Sequence, residues 1–173
     1  VVAHPEHLGR SEAGQGGVAG QLQQAPGADG VRHLAALGGG ALLLASSAAA
    51  DSFTIRCDWF DRGNVNTTDV ARPYADKYPC IVNGGVVPNQ AEYDLDFPVG
   101  GDYTISALYA AAASRPMDIL LDGKVLARGF KSTTGGWQTS GAKWEKQCSA
   151  AIAQGKHTIK LLCAVECMPH ICA

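Results

Sequence analysis

The chain has no basic surplus: 14 Lys and Arg stand against 16 Asp and Glu, for a formal net charge of −2 over 173 residues. Such a surface cannot neutralise a run of phosphates, which excludes nucleic acid as a general partner. Long hydrophobic runs are also missing. The longest, at 34–45, falls well short of the roughly 20 apolar residues of a membrane-spanning helix, so no span is expected. Chemistry-bearing motifs are equally scarce. No G-x-S-x-G elbow presents a serine, and "GGWQTSGAK" does not open a helix as a phosphate cradle would. The acids Glu92, Asp94 and Asp96 lie on one face of a period-two segment, the face that solvent takes, whereas acid–base catalysis needs carboxylates converging in a cleft. Three of the five histidines precede position 51, which leaves only His157 and His170. These absences predict a protein that is not an enzyme and requires no cofactor.

What is present divides into three regions. Residues 1–30 are rich in Gly, Ala and Gln without aliphatic periodicity, a composition that cannot bury enough surface to offset ordering. They are expected to be disordered, or to be spurious upstream sequence if translation starts at Val31. Residues 31–50 carry a short basic start, an apolar run and a small-residue end, the order of a secretory signal peptide with a cut after Ala50. The destination is then secreted, periplasmic or cell-surface. All six cysteines, Cys57, Cys80, Cys148, Cys163, Cys167 and Cys172, follow that cut. Disulfides or structural thiols are expected, with fifteen pairings open. The competing metal reading of Cys163, Cys167, Cys172 and His170 lacks the paired spacing of a zinc knuckle.

From residue 51 onward the dominant period is two. "AEYDLDF" and "DYTISALYA" alternate apolar and polar residues and flank the turn "PVGGD". Asp122-Gly123 between two apolar runs predicts a tight hairpin. "FTIRCDWF", "AKWEKQCSAAI" and "KHTIKLLCA" supply further strands. No amphipathic helix competes with them, so residues 51–173 are expected to form an all-β sandwich. "MPHICA" starts another strand at Ile171, and the sandwich is expected to lack its last strand through C-terminal truncation. Trp144 lies with Ala142 and Lys146 in an alternating strand and is expected in the core, and Trp59 in the core or covering an edge.

The succession "IRCDWFDRGN", "AEYDLDFPVGGDYTISALYA", "RPMDILLDGKVL", "TTGGWQT" and "IAQGKHTIKLL" resembles the galactose-binding-like, jelly-roll β-sandwich of carbohydrate-binding modules of families 6 and 35. "YADKYPCIVNGG" and "AKWEKQC" more loosely resemble sandwich domains of large exported proteins from planctomycete-type bacteria, so further domains of one full-length protein are expected partners. The family resemblance implies a non-catalytic module that binds a polysaccharide or other glycan in a cleft at one end of the sandwich. Trp137 is the loop aromatic carried over, with Tyr78 or, less well, Tyr74 facing it and the amides of Asn83 and Asn89 nearby. An aromatic face suits the C–H face of a pyranose. Plugging the end of the sandwich is the other reading of Trp137, and it stays open. The resemblance also implies a structural calcium held by two acids. Asp58 matches one, but Arg56 replaces the other with a cation that opposes a divalent ion. The competing class is a structural or protein-interaction sandwich without sugar binding.

Overall fold

Alternation of buried and exposed residues gives the strands their two faces, and ten strands result in the computed structural model, which describes residues 20–24, 52–67 and 73–173. In chain order these are β1 (Gly20–Gln24), β2 (Ser52–Ile55), β3 (Arg62–Gly63), β4 (Asn89–Phe97) and β5 (Gly101–Ala110). They continue with β6 (Met117–Leu121), β7 (Lys124–Gly129), β8 (Lys143–Ile152), β9 (Gly155–Cys163) and β10 (His170–Ile171). Among the described residues a 3-10 turn at Thr139–Gly141 interrupts them and no α-helix occurs.

Two antiparallel sheets face each other. In one, β8 runs along an edge of β5 over its whole length, while β1 and, further along, β10 pair with β5 and β2 pairs with β1. A strand has two edges, so β1 and β10 share the edge that β8 leaves. The other sheet has the order β3-β4-β9-β6-β7. Tyr103, Ile105, Ala107 and Tyr109 of β5 point into the same core as Ala91, Tyr93 and Phe97 of β4. Phe97 packs edge-on against Tyr103 at 5.0 Å and Phe53 at 5.6 Å. Such aromatic contacts add about 0.5–1.5 kcal/mol each beyond the area they bury. Asp122 and Gly123 take φ of 49° and 80° at the β6–β7 turn, the left-handed pair that a two-residue hairpin demands. The predicted all-β sandwich and this hairpin are therefore what the chain forms.

Three details differ from the expectations and a fourth agrees with them. Within residues 1–30, composition predicts no element, yet Gly20–Gln24 pairs on both edges, its backbone filling the slot between β2 and β5. Backbone ladder bonds need no apolar side chains, which is why composition misses such a strand. The remainder of 1–50, including the apolar run and the cut after Ala50, lies outside the described residues. "FTIRCDWF" holds strand geometry only to Ile55. Beyond it the Trp59 N–H donates to the Arg56 carbonyl in a turn, and Trp59 is 64% exposed with the Arg56 guanidinium 5.2 Å above its ring. Trp144 is not in the core either, at 42% exposed. The cause is a bulge: Ile105 pairs with Cys148 but Ser106 with Lys146, which leaves Gln147 as an extra residue. Cys148, Ala150 and Ile152 face the core, and the inserted residue reverses parity, so Trp144 joins its cross-strand partner Leu108 on the outer face. Finally, Ile171 does sit in a strand, bonded to Tyr109 on one side and bridged to Ile81 on the other.

Gly20–Gln24 lies upstream of the predicted cut, and β2 has no other strand partner among the described residues. A chain beginning at Asp51 is expected to melt at lower temperature than the full chain and to self-associate through the bared edges of β2 and β5. Calorimetry and sedimentation measure both, and an unchanged melting temperature would show that β1 contributes nothing.

Candidate functional site

Antiparallel pairing of Asn89 with Cys163, Met117 with Gly129 and Tyr109 with Lys143 brings strand starts and strand ends to one end of the sandwich. The connecting segments 73–88, 111–116, 130–142 and 164–169 crowd there. Gly135 supplies a left-handed turn at φ 101° in the third of these, two residues before Trp137.

One fully buried hydroxyl locks two of the segments together. Thr139 Oγ1 accepts the backbone N–H groups of Lys77 and Tyr78, each at 3.0 Å, and donates to Asp76 Oδ1 at 3.1 Å. The Thr139 N–H donates to the Tyr74 carbonyl at 2.8 Å. Asp76 also accepts the Ser140 N–H at 2.8 Å and its hydroxyl at 2.5 Å, and these bonds hold its carboxyl below the usual carboxylate range. The opposite flank of the loop is tied to β5: Ala111 N–H donates to Thr134 Oγ1 at 2.9 Å, and Tyr109 donates to Glu145.

That framework sets three rings side by side. His170 lies 4.5 Å from Tyr74 and 5.2 Å from Trp137, both tilted against it. His170 Nδ1 donates to the Trp137 carbonyl at 2.6 Å, since a carbonyl only accepts, and this leaves the neutral ring protonated on Nδ1. Burial pushes the imidazole below its ordinary value of 6.5, with the bond to Trp137 opposing the shift. Arg115 places its guanidinium carbon 5.4 Å above the Trp137 ring, and its buried Nε finds no partner among the described residues. Trp137 is half-buried against the core, Tyr74 is 39% exposed and His170 between them is buried, so the rings form a stepped shelf, tilted 54° and 45° against the middle ring.

The residues expected from sequence fall around this shelf. Trp137 is in it. Tyr78 enters the lock through its backbone, while its ring packs on the outer cluster of Cys80, Val82 and Leu108 with the Lys77 ammonium 5.0 Å above. Asn83 is engaged by neighbouring loops, accepting the Gly85 N–H of its own at 2.8 Å and donating to Cys167 Sγ of segment 164–169 at 2.8 Å. Asn89 is fully buried and donates to the Val86 carbonyl, with its Oδ1 unmatched among the described residues. Tyr74 was offered by sequence as the lesser partner of Trp137, whereas Arg115, Thr139 and His170 were not singled out for this site; a Thr within "WQTSG" and an Asp in a polar loop carry no periodic signal.

The acids Glu92 and Asp94 of β4 are paired with cations. Glu92 and Asp94 both bind Arg62, at 2.9 and 2.6 Å, and Lys160 adds a third contact at 3.2 Å to Glu92. Arg62 and Lys160 hold the Glu92 carboxyl below its ordinary value. The six cysteines are all present as thiols, so no disulfide closes any of the expected pairings in this structure.

No protein-family model matches the chain, and no curated protein matches it in sequence. Solved structures do match. A family 35 carbohydrate-binding module from Clostridium thermocellum superposes with a TM-score of 0.54 at 22% identity, covering 67% of this chain and 89% of that one. One from Paenibacillus barcinonensis gives 0.52 at 17% identity, over 68% and 92%. A third, Xyl-CBM35 in complex with a glucuronic acid containing disaccharide, gives 0.51 at 17%, over 65% and 82%. The fold is that of the carbohydrate-binding modules. Within this carbohydrate-binding-module fold, the calcium implied by resemblance does not fit the residues at Asp58. Both Asp58 oxygens accept from Arg56, at 3.0 and 2.7 Å. Among the described residues no cluster of three or more His, Cys, Asp or Glu is arranged around a metal position.

Thr139→Val keeps the shape of the side chain and removes its oxygen, stranding two part-buried N–H groups. A loss of about 1–3 kcal/mol is expected in urea unfolding, because unmade buried bonds cost their full desolvation. His170 carries a pH signature as well. Its folded pKa is depressed, so the unfolded chain binds a proton that the folded chain resists, and stability falls as pH drops below about 6.5. Unfolding measured from about pH 7.5 to about pH 5 should show a steeper loss in the unsubstituted chain than in His170→Gln.

Proposed function

We propose that this chain is a non-catalytic carbohydrate-binding module of an exported protein, holding a glycan on the shelf of Tyr74, His170 and Trp137. The observation that carries this reading is the partly exposed Tyr74 ring, joined to Trp137 through His170, with its backbone carbonyl held by the Thr139 lock. The exposed face of an aromatic ring suits the apolar C–H face of a sugar ring. Tyr74 thereby replaces Tyr78 as the partner of Trp137. Arg115 beside the shelf supplies donors to hydroxyls or to a sugar carboxylate. Because a module of the same fold was solved with a glucuronic acid containing disaccharide, uronic-acid glycans are the first to test here. The fold is also shared by the module of a β-(1,4)-mannanase from Podospora anserina, which makes attachment to a larger exported protein the natural setting. The signal-like segment at 31–50 supports export.

Affinity electrophoresis of the full chain in gels containing neutral or uronic-acid polysaccharides tests the proposal. Tyr74→Ala is expected to weaken binding at least about tenfold, equivalent to about 1.4 kcal/mol. Arg115→Ala should weaken binding of uronic-acid glycans more than of neutral ones. Retained binding in Tyr74→Ala with loss in Trp59→Ala would move the site to the exposed Trp59. Absence of retardation by every glycan would favour a structural or protein-interaction sandwich.

A further inference from the structure

Ile81 and Ile171 exchange both backbone hydrogen bonds, at 2.8 and 3.1 Å, in an isolated antiparallel bridge. In antiparallel pairing the residues one step outward from such a pair stand directly opposite each other at a non-hydrogen-bonded position. Their Cα atoms are then about 4.5 Å apart and their side chains share a face. Those residues are Cys80 and Cys172. A separation of that size lies inside the range of about 4.4–6.8 Å that a disulfide spans. Burial confirms the shared face independently. Ile81 and Ile171 point into the core between the sheets, whereas Cys80 and Cys172 both belong to the outer cluster with Val82 and Leu108, exposed 0% and 1%.

The other cysteines lack this arrangement. Cys57 donates its N–H to the Cys172 carbonyl at 3.3 Å, but its side chain lies in the inter-sheet core with the sulfur toward the Pro79 carbonyl. Cys148 stands opposite Ile105 and Cys163 opposite Asn89, while Cys167 is exposed. We infer that Cys80 and Cys172 are a disulfide pair, joining the segment that carries Tyr74 and Asp76 to the segment that carries His170.

The oxidant is a small or protein disulfide. The thiolate of one cysteine attacks it and forms a mixed disulfide, releasing one thiol. The second cysteine, losing its own proton, displaces the other half as a thiol and closes the Cys80–Cys172 bond. The chain loses two electrons and two protons, and the oxidant gains both as two thiols. Both sulfurs are sealed once β10 docks, and burial pushes the Cys80 thiol up to about 12, so exchange belongs to the partly folded chain. The bridge closes a long loop, residues 80–172, which is where a cross-link constrains the unfolded chain most.

The test is to refold the full chain in oxidised and reduced glutathione, alkylate it, and map a non-reducing digest by mass spectrometry. The expected result is a Cys80–Cys172 linked peptide, two hydrogens lighter than its reduced parts, with a melting temperature about 10 °C above the reduced form. Cys80→Ser and Cys172→Ser should each abolish that difference, and Cys148→Ser should keep it. Linkage of Cys57 to either residue, or alkylation of both Cys80 and Cys172 in the oxidised sample, overturns the assignment. The peptide map of the unsubstituted chain decides the matter even if a serine variant fails to fold.

Discussion

The aromatic end of this molecule depends on a single buried hydroxyl. Thr139 accepts two backbone N–H groups and donates to Asp76, and its own N–H reaches the Tyr74 carbonyl. Four bonds at one residue fix the segment of Tyr74 against the segment of Trp137. Each is modest alone, but they converge on a side chain that water does not reach, where a broken bond leaves an uncompensated polar group. The rings themselves gain little from one another. What holds them in line is the polar lock beneath, together with the His170 bond to the Trp137 carbonyl.

Strand β5 plays the corresponding part for the scaffold. Its inner face supplies Tyr103, Ile105, Ala107 and Tyr109 to the core, and both of its edges are occupied. Its far end delivers Ala110 to β10 and Ala111 to the Thr134 hydroxyl, so the sheet and the loop end are built from one continuous backbone. The bulge at Gln147 serves the same junction. The Gln147 amide oxygen accepts the Phe130 N–H at 2.6 Å, pinning a buried residue held at φ 57°, and Phe130 packs 5.1 Å from Tyr109. One inserted residue thus shapes the start of the loop that carries Trp137 and sends Trp144 to the outer face.

The readable parts of the sequence were those governed by local periodicity. "AEYDLDF", "DYTISALYA" and the Asp122-Gly123 turn announce their structure because side chains alternate and because a tight turn needs particular residues. Trp144 shows where that logic stops: period two is a sound guide only until a bulge changes parity, and Gln147 bears no mark of being the extra residue. Gly20–Gln24 shows another limit, since its pairing rests on backbone groups that any polar sequence possesses. Tyr74 was named only as the lesser partner, because choosing between Tyr74 and Tyr78 depends on which ring a distant histidine meets.

By itself, then, the sequence determined the class of fold, the positions of the main strands, the sharp β6–β7 turn and the placing of Trp137 in a glycine-turned loop. These follow from interactions between residues close in the chain. Only the tertiary structure decided which aromatic joins Trp137, what locks the loops, which carboxylates are spent on cations and which cysteines stand opposite each other. Most of those outcomes join residues 30 or more positions apart, such as Arg62 with Glu92, Asp76 with Ser140 and Cys80 with Cys172. Such meetings are set by sheet register, which the order of residues does not display until the strands have paired.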